Sequence, residues 1–183
     1  MKYLKLYEEH NYISKEESLN LKTAYTSESK FDKFKQKDKL KDAIKSYPEI
    51  FKPTKTENIL MWAIYKDDLD IIKFIFDNDV NNYFDINYQE AKNGNTLLFW
   101  AFDDASFETI SYLIDNGADW EILNNHNQDF IDFMDDYQRR FSVIDPVDYY
   151  DLLKQDIIDA YPEKYEKALK TILKRKKIKK FNL

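Results

Sequence analysis

The residues of this chain that could do chemistry are carboxylates standing in pairs, Asp67-Asp68, Asp103-Asp104 and Asp135-Asp136. Two adjacent carboxyl groups shift each other's ionisation and can serve as general acid and base. Here the pairs recur at intervals of 36 and 32 residues, close to a repeat period, which is the pattern of a periodic solvated surface, so no catalytic residue is expected. The other chemistries fare worse. There is no cysteine, and the two histidines, His10 and His126, lie far apart. That leaves no thiol nucleophile, no serine with a histidine base nearby and no metal-ligand spacing. The stretch 77–90 is rich in oxygen ligands but lacks the turn glycine of a calcium loop. Two glycines in the whole chain, Gly94 and Gly117, supply neither a dinucleotide fingerprint nor a phosphate loop. The expectation is a non-enzyme with no metal, no cofactor and no small-molecule substrate.

Charge is distributed unevenly along the chain. Residues 56–136 carry 18 Asp and Glu against 3 Lys, whereas 1–55 carry 13 Lys against 9 acids and 137–183 carry 12 Lys and Arg against 7 acids. An acidic centre of this kind repels nucleic acid and attracts a basic protein. The run 170–180, with Lys174-Arg175-Lys176-Lys177 inside it, reads as a basic helix end rather than a phosphate or lipid site. Glu8 and Glu9 interrupt the apolar stretch that a secretory leader requires, and the longest apolar runs, 58–65 and 96–102, fall far short of the roughly 20 residues that span a bilayer. No membrane contact and a cytoplasmic, reducing location are therefore expected.

The chain must bury a core to hold these groups in place, and at 183 residues with 43% hydrophobic and 16% aromatic side chains it has the material for one domain. The core pattern repeats. Aligning Asn58-Ile59-Leu60-Met61-Trp62-Ala63-Ile64 with Thr96-Leu97-Leu98-Phe99-Trp100-Ala101-Phe102 puts the helical stretches 68–75 and 106–113 in the same register, at an offset of 38. A third copy follows the second at an offset of 33, at Asp129-Phe130-Ile131-Asp132-Phe133-Met134, and then degenerates. In each copy a short apolar helix carrying an alanine (Leu60, Ala63, Ile64; Leu98, Ala101, Phe102) precedes an amphipathic one. The second helices turn Ile71, Ile72, Phe74 and Ile75, or Ile110, Leu113 and Ile114, inward, and Asp70, Lys73, Asp77, Glu108, Ser111 and Asp115 outward. Trp62 and Trp100 are expected to pack rather than to bind. Residues 80–84 exceed the period and are expected to form a surface insertion.

Gly94-Asn95-Thr96-Leu97-Leu98-Phe99-Trp100-Ala101 and Asp115-Asn116-Gly117-Ala118-Asp119 resemble the turn-and-helix signature of ankyrin repeats, with Leu97 in place of its proline, Met61 and Phe99 in place of its histidine, and Asp79 in place of the glycine of the first copy. Gly94 falls in the turn, Gly117 at a left-handed helix end, and Thr96 at an N-cap whose hydroxyl is expected to accept an orphan amide. The resemblance implies an all-α helical solenoid of about three central repeats at 53–136, with helical caps at 1–52 and 137–183, all in a single domain. In the N-terminal cap, Leu40, Ala43, Ile44 and Tyr47 are expected inward, with Pro48 as the stop. In the C-terminal cap the apolar stripe is Leu152, Leu153, Ile157, Ile158, Ala168, Leu169, Ile172 and Leu173.

The resemblance also implies protein binding through turn tips and first-helix residues. Carried over position by position, that surface comprises Glu57, Tyr65 and Lys66; Lys92, Asn93, Asn95, Asp103 and Asp104; and Asn125, His126, Gln128, Asp136 and Tyr137. Tyrosine, asparagine and carboxylate suit a polar interface with aromatic anchors. The expected role is an inhibitor or immunity protein that masks a basic toxin or nuclease. The alternative is a regulatory or translocated effector scaffold.

Overall fold

The computed structural model of the chain describes residues 13–26, 33–54, 58–79, 81–141 and 149–181, side chains at 33–35, 137–141 and 178–181 excepted. Among the described residues the regular structure is helical, with one isolated antiparallel bridge between Gln89 and Thr96. The chain divides into two compact units, one of 1–63 with 68–85 and one of 64–67 with 86–183.

In the first unit, α1 (Lys15–Tyr25) starts at Ser14, whose hydroxyl accepts the Glu17 N–H at 3.1 Å. Leu21 and Tyr25 of α1 are buried. Helix α2 (Lys33–Ser46) buries Leu40, Ala43 and Ile44 and ends ahead of Pro48, which opens the single turn of α3 (Pro48–Phe51). Tyr47 is only half-buried, because it stands at the break between those two helices. The first repeat follows as α4 (Ile59–Tyr65), whose last two residues belong to the second unit, and α5 (Leu69–Asp77). Ile71, Ile72 and Ile75 are fully buried. Phe74 is not: it lies half-buried beneath the Lys41 and Lys45 ammonium groups, 5.4 and 5.1 Å from its ring centre, a cation–π placement that hydropathy alone does not reveal.

Asp68 organises this unit. Its buried carboxylate accepts the Ile71 N–H that opens α5, the Lys37 ammonium at 2.7 Å and the Tyr25 hydroxyl at 3.4 Å, so one side chain ties α1, α2 and α5 together. Burial, followed by the Asp68 charge, raises the Tyr25 hydroxyl above its ordinary range. Beyond α5, Asp79 stands where the resemblance expects glycine and accepts the Tyr83 and Phe84 N–H groups, each at 2.8 Å. The insertion is thus folded back by that carboxylate, and Phe84 is buried rather than solvated. Val80 lies outside the described residues.

The second unit holds α6 (Leu97–Asp104), α7 (Phe107–Asp115), α8 (Phe130–Phe141), α9 (Tyr149–Ala160) and α10 (Pro162–Phe181). The offset of 38 holds residue for residue in the helix starts, 59 with 97 and 69 with 107, and the offset of 33 places the start of α8 at Phe130. Leu98, Ala101, Phe102, Ile110, Leu113 and Ile114 are buried as the periodicity expects. Phe99 and Phe102 meet Phe130 edge-on, each at 5.9 Å, which packs the second repeat on the third. Asp67, at φ 48°, accepts the Ser106 N–H, the Ser106 hydroxyl and the Thr109 hydroxyl, closing the N-terminus of α7 from outside the helix.

Four expectations change here. Thr96 holds the N-cap position, but its hydroxyl is buried and bonds no amide; the equivalent Asn58 does cap, accepting the Leu60 N–H at 2.9 Å. Trp62 and Trp100 are half-buried. Leu152 and Leu173 stand exposed, while Leu153, Ile157, Ala168 and Ile172 carry the inner stripe, and Ile158 and Leu169 are intermediate. Ser111, expected outward, is half-buried because its carbonyl accepts the Tyr161 hydroxyl.

Substituting Ala101→Asp places an unpaired charge where no side-chain surface reaches water, at a cost of several kcal/mol against the about 5–15 kcal/mol that hold a domain. The variant is expected to unfold by circular dichroism at room temperature, and wild-type melting would contradict the buried packing of α6.

Candidate functional site

The expected surface residues of the second and third copies lie on two neighbouring turns, and the structure shows what holds those turns. In the first, the Glu90 carboxylate accepts the Lys92 N–H at 2.6 Å and the Asn93 N–H, while its backbone exchanges hydrogen bonds with Asn95 and Gly94 at 3.0 Å each. In the second, Asn124 accepts the His126 and Gln128 N–H groups on its side-chain oxygen, at 2.9 and 3.0 Å, an Asx turn that is extended by Asn127 at φ 57°. The two turns are then laced together. The Asn125 N–H donates to the Asn93 carbonyl at 2.7 Å, and the Asn125 amide donates to the Lys92 carbonyl at 3.2 Å. The Asn124 amide reaches Asn95 at 3.1 Å, and Gln89 donates to the carbonyls of Gly94 and Leu123 at 2.8 and 2.9 Å. Gly94, at φ 69°, lies against this lace: a Cβ there would stand 2.7 Å from the Asn125 side-chain oxygen and 3.0 Å from its backbone nitrogen. Both the left-handed turn and the close approach require glycine.

Of the residues brought together, Lys92, Asn125 and His126 are exposed, whereas Asn93, Asn95 and Gln128 are half-buried and partly used in holding the turns. Gln89, Glu90 and Asn124 were not among the expected residues, yet they build the surface; the signal was their turn chemistry, polar side chains able to bond backbone amides two to four residues away.

The remaining expected residues form a second row at the ends of the first helices. Tyr65, Asp103 and Asp136 occupy one repeat position, and Lys66 and Asp104 the next. Tyr65 is 49% exposed and Lys66 half-buried. Asp136 accepts the Gln128 amide at 3.2 Å, which couples this row to the turns. Glu57 and the Tyr137 side chain lie outside the described residues.

The carboxylate pairs are not the solvated surface that their periodicity suggests. Asp67 and Asp68 are bound as described, and Asp135 meets Lys154 at 2.5 Å. Asp103 and Asp104 are half-buried, and burial, with the neighbouring Asp104 charge second, pushes the Asp103 carboxyl up to about 6. Burial raises Asp104 as well. The acids of the third copy are answered by the chain's own basic C-terminal helix: Asp129 meets Arg175, and Asp132 meets Lys176 at 2.9 Å. For Asp129, burial outweighs that partner and the carboxyl is raised. Among the described residues, no group of three or more His, Cys, Asp or Glu is placed to hold a metal ion, and no helix is long and apolar enough to cross a membrane.

A family model of ankyrin repeats in three copies matches residues 33–124. The match takes in α2 upstream of the repeats read from the sequence and stops before α8. No curated protein matches the chain.

Because Asp103 binds its proton more tightly folded than unfolded, its contribution is most favourable below about pH 4 and declines as pH rises through about 6. Asp103→Asn removes that penalty. Thermal melting should show the variant stabilised at pH 8 relative to the parent, with the gain shrinking toward pH 4; an equal shift at both pH values would contradict the half-buried carboxylate.

Proposed function

The chain belongs to the ankyrin-repeat family, a protein-interaction fold, and on that premise we propose that it is a non-catalytic binder of a basic protein, working through the laced turns and the first-helix row. The observation that carries this reading is the row itself. A half-exposed tyrosine in the first repeat gives way, at the same position of the second, to a carboxylate pair that is short of solvent. A lysine or arginine docked against Asp103 and Asp104 would favour their charged forms and replace lost hydration, and Tyr65 would supply an aromatic anchor. The laced turns support the same reading, because a surface fixed before binding loses little conformational entropy when a partner docks.

The finer role is an inhibitor or immunity protein that covers the basic cleft of a toxin or nuclease. The second reading is a regulatory or effector scaffold that uses the same face. A chain without cysteine suits the reducing cytoplasm in either role. The proposal takes 1–183 as one cooperatively folding domain with caps at 1–52 and 137–183, which a single melting transition would support.

The test is a pull-down with the full chain, followed by binding kinetics on the best partner. The partner should be basic, and its affinity should rise from pH 5 to pH 7 as Asp103 ionises. Association should slow as salt shortens the Debye length from about 10 Å at 0.1 M to about 3 Å at 1 M. Tyr65→Ala should speed dissociation about tenfold or more, and Asp103→Asn should flatten the pH profile. An acidic partner, or binding indifferent to both salt and pH, would overturn the basic-partner mechanism.

A further inference from the structure

The two helices that close the second unit are unevenly covered. Their inner faces are committed: Leu153 and Ile157 of α9 and Ala168 and Ile172 of α10 are buried. The cations of α10 that face inward are also committed, Lys164 to the Ile114 carbonyl at 2.6 Å, Arg175 to Asp129 and Lys176 to Asp132. The opposite face is different. Lys170, Leu173, Lys174 and Lys177 follow one another at i, i+3, i+4 and i+7, on the side of α10 away from Ala168 and Ile172. Leu173 is 51% exposed. Lys170 reaches only Glu166, at 3.7 Å with both side chains in solvent, and among the described residues neither Lys174 nor Lys177 meets a carboxylate. On α9, which packs against α10, Leu152 is 61% and Tyr149 55% exposed. Four large apolar side chains among the described residues are more than half exposed, and three of them are on this pair.

We propose that the outer face of the α9–α10 pair, formed by Leu152, Lys170, Leu173, Lys174 and Lys177, docks an acidic amphipathic helix of a partner protein. The exposed leucines supply an apolar centre, and the lysines a rim that selects carboxylates. α10 runs for 20 residues, about 30 Å, enough to lie alongside a partner helix of several turns. A polyphosphate chain fits less well. Apolar side chains at the centre give phosphates nothing to bind. A bilayer fits less well too, because the broad apolar stripe of α10 already faces inward. The face is separate from the laced turns, so this docking does not depend on the function proposed above.

The experiment uses the full chain and a fluorescein-labelled helical peptide of glutamate, alanine and leucine, with leucines at i, i+3, i+4 and i+7. Comparators are a peptide of the same composition with the leucines scattered, a short DNA duplex and phosphatidylserine vesicles. The patterned peptide should bind about tenfold or more tightly than the scattered one. Lys170→Glu/Lys174→Glu/Lys177→Glu and, separately, Leu152→Ser/Leu173→Ser should each weaken it about tenfold or more, with melting temperatures unchanged because these side chains are exposed. Tyr65→Ala should leave it unaltered. The proposal is overturned if DNA or vesicles bind more tightly than the patterned peptide, if the scattered peptide binds equally well, if either multiple variant melts normally and still binds, or if Tyr65→Ala removes binding.

Discussion

The turns at 90–95 and 123–128 approach so closely that the Cα of Gly94 has room only for hydrogen, its missing Cβ falling 2.7 Å from Asn125. Much of the second unit follows from that approach. The Asn125–Asn93 hydrogen bond fixes which residue of one turn faces which residue of the next, and the helices that follow, α6 and α8, begin within five residues of those contacts. With their starts fixed, Phe99 and Phe102 are carried onto Phe130, and each helix covers apolar surface that the other could not bury alone. The proposed binding surface and the folding constraint are therefore the same pair of turns. On that proposal, substituting what holds the turns alters stability and recognition together, whereas substituting the side chains of Lys92 or His126, which only decorate them, alters recognition alone.

Electrostatics divides the chain differently from its charge sequence. Read along the chain, an acidic middle lies between basic ends. In space, part of that contrast is spent internally: in the first unit Lys37 and Lys41 of α2 reach Asp68 and Asp70, and in the second Lys154, Arg175 and Lys176 reach Asp135, Asp129 and Asp132. The Lys41 hydrogen bond holds the Asp70 carboxyl below its usual range. Exposed pairs such as Lys167 with Glu121 contribute little to stability. Their consequence is for recognition, since they leave a smaller acidic surface than the count of 18 acids in 56–136 suggests. What remains includes the half-buried Asp103 and Asp104 of the first-helix row.

Helix order, the offsets of 38 and 33, the buried aliphatic positions and both glycine turns were legible in the sequence, because each depends on local spacing and backbone geometry. Features that depend on a distant partner were not. Phe74 satisfies the periodicity of a buried residue, yet two lysines of another helix lie over its ring. Leu152 and Leu173 satisfy it too, and the helices on which they stand turn them to solvent. Asp67 and Asp68 look alike in sequence, but one closes the N-terminus of α7 and the other the N-terminus of α5. Of the site, residue types and repeat positions could be read, but the roles could not. Asn95 and Gln128 appear as binding residues by position and act partly as lacing, and Glu90 and Asn124 act as lacing without any positional mark.

The central claim is that the turns form a fixed surface before any partner arrives. Native-state amide hydrogen exchange tests it most directly, at the N–H groups of Lys92 and Asn93, held by Glu90, and of Asn125, held by Asn93. In the free chain these three amides should exchange far more slowly than the exposed amides of an unstructured loop. In Gly94→Ala, where the added carbon strains the turn and forces Asn125 away, the protection of all three should fall together while that of α7 is retained. Exchange of these amides at unstructured rates in the parent chain, or protection unchanged by Gly94→Ala, would contradict the account.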